Sequence, residues 1–167
     1  GWFAVFTFDD SGYVSDEEKD ALDTDAMLET MKENNRRQNE VRAGKGWDAL
    51  VLDGWHTEPH YDSATNNLEW GLLLSSVNGQ IVNYEVRLLG RRGVMNVNLV
   101  CDPSQIASAL PEFRKLISTH EFAAGETYGE FRDGDKVAAY GLGALVTGGA
   151  IAAAVKTGFL QKFWKLI

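Results

Sequence analysis

Four side chains able to hold a metal alternate along one short run: His56, Glu58, His60 and Asp62, in Trp55-His56-Thr57-Glu58-Pro59-His60-Tyr61-Asp62. In an extended chain every second side chain points to the same face, so the four would converge. Zinc hydrolases combine imidazole and carboxylate ligands and keep one position open for water. Pro59 interrupts the extension, however, and no fixed zinc-site spacing is met. The plainer alternative is a long hairpin loop over residues 55–67, rich in turn formers.

A second candidate is Arg91-Arg92 between Gly90 and Gly93, where guanidinium forks suit a carboxylate or a phosphate. An exposed hairpin tip is the favoured reading there, because the turn needs its flanking glycines in any case. Cys101 closes a predicted strand without a basic neighbour in sequence, which makes it a buried, inert thiol and not a nucleophile. His120 stands in a loop and carries no motif. The sequence has no phosphate-cradling glycine loop, nucleophile elbow or Cys-x-x-Cys, and nothing in it calls for a cofactor.

These groups must be placed by strands and helices that the hydrophobic pattern predicts. Residues 2–8 are aromatic and β-branched and end at Asp9-Asp10-Ser11-Gly12, a strand and a turn. An acidic run leads into a helix over 24–43, capped by Asp23 or Thr24 and stopped by Gly44 and Gly46. Leu22, Met27, Leu28 and Met31 give it one apolar face, while its second half, residues 34–40, is polar and reads as solvated. Strands follow at about 47–55, 68–75, 80–89 and 94–101, with Asn78-Gly79 as a hairpin signal. Strands so closely joined favour an antiparallel meander. In the last of them Met95, Val97, Leu99 and Cys101 share one face and Asn96 and Asn98 the other. Asp102-Pro103 opens a helix to about 118, with Ile106, Leu110, Phe113, Leu116 and Ile117 at helical spacing and Pro111 as a kink. Tyr128 and Phe131 anchor the loop that follows.

At 167 residues the chain is one domain of ordinary size with a short appendage, able to bury roughly 70% of its unfolded surface without metal or disulfide staples. Hydrophobic residues are 44% and charged residues 24%, the balance of a globular chain. The net charge of −8 argues against nucleic acid as the main partner, since phosphate binding needs a basic surface. Behind Asp135 there are four lysines and no acid, so the charge divides into −12 on residues 1–135 and +4 on residues 136–167. That split predicts an acidic globular domain over 1–135 and a helical tail over 136–167 in a different environment.

The tail is the more telling half of the split. Residues 137–155 carry no charge, which is long enough for a spanning candidate. Their six strongly apolar residues supply about −2 to −4 kcal/mol on an insertion scale, a marginal sum. Ala144, Gly148 and Ala152 fall four apart, the small-residue spacing that lets two helix backbones approach closely. Beyond them Phe159, Leu160, Phe163, Trp164 and Ile167 share a helical face with Lys156, Lys162 and Lys165 mostly off it, a pattern suited to a bilayer interface. The expected partner is therefore a membrane, or a second copy through this tail; the plainer reading is a glycine-rich core helix. The missing initiator Met and the apolar end at Leu166-Ile167 lead us to expect a chain trimmed at both ends, with Gly1 a cloning scar.

Several runs occur together in one order: Gly46-Trp47, Gly54-Trp55, Pro59-His60-Tyr61-Asp62 with Leu68-Glu69-Trp70, Leu88-Leu89-Gly90-Arg91-Arg92-Gly93-Val94-Met95, and Tyr128-Gly129-Glu130-Phe131 through Gly134-Asp135-Lys136-Val137-Ala138-Ala139-Tyr140-Gly141. In these the chain resembles a bacterial family of membrane-anchored proteins, the domain of unknown function 2167. The resemblance implies a secretion signal before the domain, a hydrophobic anchor after it, and no activity. His60 and Asp62 belong to the pattern and His56 and Glu58 do not.

The expectation is an α+β fold: an antiparallel sheet of about five strands, two packing helices, and a Gly/Ala-rich helical tail. Functionally it predicts an envelope-associated binding or scaffolding module, and the resemblance implies that its body is extracytoplasmic. Its candidate ligand groups are His60, Asp62, Arg91 and Arg92, and its candidate helix-pairing or membrane groups are Ala144, Gly148, Ala152, Phe163 and Trp164. The alternative is a metal-assisted hydrolase acting on an anionic substrate through His60 and Asp62.

Overall fold

Val82, Tyr84, Val86 and Leu88 alternate with Asn83, Glu85 and Arg87, the period of a strand with two unlike faces, and this pattern sits at the centre of the molecule. A computed structural model describes residues 1–148 of the chain. Its strands are β1 (Phe3–Asp9), β2 (Val51–Asp62), β3 (Asn67–Ser76), β4 (Gly79–Leu89) and β5 (Val94–Cys101). Its helices are α1 (Thr24–Gly44), α2 (Ile106–Ile117) and the short α3 (Leu142–Thr147). All neighbouring strands pair antiparallel in the order β1-β5-β4-β3-β2, so β2 to β5 form a meander and β1 returns to close beside β5. The expected five-stranded α+β architecture is the one observed.

One face of the sheet is covered by α2. Ile106, Ala109, Phe113 and Ile117 recur on one side of that helix and are buried against Val82, Tyr84, Val86, Leu88, Val97, Leu99 and Cys101. Each large apolar side chain buried there contributes about 1.5–3 kcal/mol. Pro111 lies within α2, exposed, and the helix runs on to Ile117. Asp102 does not cap it: its carboxylate takes the Ser104 amide at 2.8 Å in a separate turn, and α2 begins at Ile106.

The second cluster gathers Leu68, Trp70, Leu89, Val94, Val14 and Tyr128 with Leu142, Leu145 and Val146 of α3, and α1 lends it Met27 and Met31. Asp23 caps α1 as predicted, accepting from the Ala26 amide at 3.0 Å. The polar half of α1 is not simply solvated. Asn35 donates to the Leu50 carbonyl (2.8 Å) and accepts from the Leu52 amide (3.0 Å). Asn39 donates to the same carbonyl (3.0 Å) and accepts from the Leu50 amide (2.9 Å). Four residues apart, the two amides share a helix face and satisfy backbone groups at the start of β2, as a neighbouring strand would.

β2 runs through the region expected to be a loop. Its register against β3 shifts between Leu52 and Gly54, between Trp55 and Thr57, and between Thr57 and His60. Such bulges accommodate Pro59, which has no amide to give a ladder and is tolerated on an edge strand. The β3–β4 hairpin turns through Val77-Asn78, with Gly79 in the left-handed region (φ 116°).

The first part of the predicted tail belongs to the body. Tyr13 and Val137 form a parallel bridge, and the Ala138 amide donates to the Tyr13 carbonyl at 2.8 Å. α3 buries Leu142, Leu145 and Val146 and stops at Gly148 (φ 82°), whose amide bonds back to the Ala144 carbonyl. The continuous helix expected from residue 137 is therefore broken by an extended stretch and by this left-handed stop. Ala152, Phe163 and Trp164 lie outside the described residues. Among the described residues, no helix is long and apolar enough to cross a membrane.

Candidate functional site

A groove of about 660 Å³ opens where the β2–β3 turn, the end of β4, the last turn of α2 and the loop after it meet. Asp62, Asn66, Glu69, Arg114, His120 and Tyr128 are among its lining residues. Glu69 is a charge between Leu68 and Trp70, so strand alternation turns it away from the second cluster and onto the α2 side. There it accepts from the Tyr84 hydroxyl at 2.8 Å, and Arg114 of α2 approaches both, 3.1 Å from the hydroxyl and 3.5 Å from the carboxylate. Burial, reinforced by the Glu69 carboxylate, pushes the Tyr84 phenol up to about 12. Tyr84 therefore stays a donor at neutral pH, fixing the carboxylate, and Arg114 balances its charge. The Arg114 side chain is half exposed (54%) and can meet a polar or anionic group entering the groove.

Gly71 makes room for this arrangement. A side chain there would press on the Tyr84 ring, the His56 imidazole and the Thr57 amide, each about 3.2 Å from where its first carbon would sit. Tyr128 closes the opposite wall, its hydroxyl donating to the Val14 carbonyl at 2.9 Å and its ring stacked on Tyr13 at 4.5 Å. His120 packs edge-on against Phe122.

The four groups of residues 56–62 do not converge, because the bulges in β2 break the alternation on which convergence depends. His56 meets the Thr57 hydroxyl (2.9 Å) and Glu58 accepts from Thr24 at the start of α1 (3.4 Å). His60 is exposed opposite Glu69. Asp62 reaches the groove, but its oxygens accept from the Ala64 amide (2.8 Å) and the Thr65 hydroxyl (2.9 Å), bonds that hold its carboxyl below the usual carboxylate range. Among the described residues no group of three or more His, Cys, Asp or Glu side chains could hold a metal ion.

Arg91 is not an exposed tip. It is buried, and its fork takes Asp135 with two bonds of 2.6 and 2.8 Å, while a third goes to the Gly125 carbonyl (2.9 Å). The Arg91 guanidinium brings the Asp135 carboxyl down to about 2. Those donors are spent on tying residues 125–135 to the β4–β5 turn. Arg92 is the exposed member and pairs with Glu126 at 3.1 Å. Cys101 lies in the α2 core as expected, and burial pushes its thiol up, away from reactivity.

Sequence reasoning missed Glu69, Tyr84 and Arg114, which come from three elements. It also missed a polar row on the opposite face of the sheet. There Arg87 pairs with Glu85 (2.7 Å), Asn98 donates to Glu85 (2.7 Å), and the Arg87 guanidinium lies 4.7 Å above the Trp70 ring. The Glu85 and Arg87 side chains are only 13% and 12% exposed. Their signal was present as the strict alternation of Asn83, Glu85 and Arg87 with apolar residues.

A family model described as a protein of unknown function, DUF2167, matches residues 1–167, and the chain belongs to that family. No curated protein and no solved structure matches it.

Proposed function

We propose that this DUF2167 chain is an envelope-associated binding module, held at a membrane surface by its last residues and presenting its body on the extracytoplasmic side. The observation that carries the reading is the division of charge. Residues 1–135 bear −12, whereas residues 149–167 hold no acid and place Lys156, Lys162 and Lys165 among Phe159, Leu160, Phe163, Trp164 and Ile167. At helical spacing this makes one apolar, aromatic face bordered by cations, the composition of a segment that lies in a bilayer interface. Because Leu142, Leu145 and Val146 are committed to the core of the body, the anchor is assigned to residues 149–167, lying along the membrane instead of crossing it from residue 137. The binding part of the reading rests on the groove over Glu69 and Arg114, whose polar groups suit a small ligand with hydrogen-bonding or anionic character.

Cell fractionation tests the anchoring. The full chain should pellet with membranes and be released by detergent, and Phe163→Ser with Trp164→Ser should move it to the soluble fraction. Recovery of the unaltered chain in the soluble fraction after gentle lysis would overturn the proposal. Protease added to intact spheroplasts should digest the body; protection until lysis would place it on the other side.

A further inference from the structure

Four apolar side chains stand bare at one end of the molecule: Val41 (59% exposed), Trp47 (38%), Val51 (48%) and Val77 (72%). Strand register sets the last two together, since Val51 opens β2 opposite Ser75 and Val77 follows in the β3–β4 turn. Asn35 and Asn39 hold α1 against residues 50 and 52, so Val41 and the residues after it overhang the start of β2. Trp47 folds back under the end of α1, its amide on the Arg42 carbonyl at 2.9 Å. Arg42 and Lys45 lie over its ring at 5.8 and 4.7 Å. Asp48 and Asp53 stand at the same end and offset these two cations, so the patch is apolar and not strongly charged. A tryptophan flanked by cations among bare aliphatic side chains has the make-up of a bilayer-interface contact.

The chain is delivered to this same end. α3 runs beside α1 in the same direction, with Gly143 against Met27 and the Thr147 carbonyl accepting from Asn34 at 3.4 Å. Asn34 adjoins Asn35, which bonds Leu50 and Leu52, so residue 147 sits level with the start of β2. Asn34, Val41 and Lys45 fall on one stripe of α1, and Val41 lies about 10 Å further along it. The opposite end is built otherwise. Asp9, Asp10, Asp62 and Glu126 stand around the β2–β3 and β4–β5 turns, and the groove opens there. We propose that the end formed by Val41, Trp47, Val51 and Val77 is the face on which the body rests against the bilayer surface, with the groove turned to the far side. The inference rests on the anchoring reading above and adds the orientation of the body to it. Lipid is selected as the occupant because residues 149–167, the assigned anchor, start beside this face, so an anchored body holds these side chains at the interface.

Flotation of the full chain with phosphatidylcholine vesicles tests it. Val41→Cys and Ser63→Cys, the second exposed in the β2–β3 turn at the far end, each carry a polarity-sensitive nitrobenzoxadiazole label, while the buried Cys101 stays unlabelled. Both labelled chains should float with the vesicles. The label at residue 41 should brighten, shift to the blue and be quenched by nitroxide-bearing lipid headgroups, whereas the label at residue 63 should keep its emission in water. Val41→Ser combined with Val77→Ser should weaken vesicle binding about fivefold at an unchanged melting temperature. A chain that floats with residue 41 still in water, or with the two labels responding alike, overturns the inference and leaves the anchoring standing. Unchanged vesicle binding in the double-serine chain overturns it too. A chain that does not float overturns both readings.

Discussion

The edge formed by β2 and the edge formed by β1 solve the same problem in opposite ways. Any open sheet leaves backbone donors and acceptors at its borders, and these must find water, side chains or another strand. At β2 the chain supplies its own substitutes: two asparagine side chains from α1 take the backbone groups at residues 50 and 52, and bulges around Pro59 spoil the rest as a template. At β1 the border is straight, apolar and, among the described residues, uncovered by any strand. The lesson is that edge protection here is local and deliberate, which makes the unprotected border informative.

The largest effect is expected where β1 rests on the body. A methyl group on Gly93 would collide with the Asp9 carbonyl oxygen at the end of β1, and backbone cannot step aside as a side chain can. Gly93→Ala should cost about 3 kcal/mol in urea unfolding and loosen β1 from β5. At the other border, replacing Asn35 and Asn39 together by alanine removes the partners of Leu50 and Leu52 and should cost about 2 kcal/mol. That variant should also aggregate more readily, through an edge it has just exposed; unchanged stability and solubility would mean that water serves β2 equally well.

A smaller effect concerns the turn that carries Gly93. Asp135 is held down to about 2 by Arg91, below its ordinary 3.8, so the fold favours the ionised carboxylate. The stability this confers is fully present above the ordinary value and is lost as pH falls through about 2. Asp135→Asn should remove that acid-side slope from the unfolding profile; a slope that persists would locate it in other carboxylates. Smallest of all, Val5→Lys should change stability by no more than about 0.5 kcal/mol, as expected of an exposed position, and a larger loss would mean that the Val5 side chain is covered.

The sequence made much of this architecture legible where periodicity was strict. β4 and β5 alternate cleanly, and α1 announces itself through Asp23 and its closing glycines, so the bounds of these strands and of this helix follow within a few residues, whereas the place of β1 beside β5 does not. The second half of β2 escaped because each register shift resets the alternation by a residue, so the strand expected at about 47–55 reads as giving way to a loop around Pro59 although it runs on to Asp62. The asparagines of α1 escaped for a different reason. An apolar-pattern reading scores amides as solvent-facing, although an amide can serve a strand border as well as water does. In the groove, Asp62 was visible as a residue type in a suggestive run. Glu69, Tyr84 and Arg114 were not, since only the antiparallel register and the seat of α2 bring them together. Arg91 showed its charge and its glycines but not its partner, which stands 44 positions away.

The clasp between Tyr13 and residues 136–138, together with the Tyr128 hydroxyl on Val14, joins parts of the chain separated by more than a hundred positions. Contacts of that span form late, because a long loop must close before any reward is collected. The meander from β2 to β5 can assemble from neighbours alone, so β1 and the closing segment are expected to dock last during refolding. Stopped-flow kinetics should show it: weakening the clasp by Tyr128→Phe should quicken unfolding while leaving the refolding rate almost untouched.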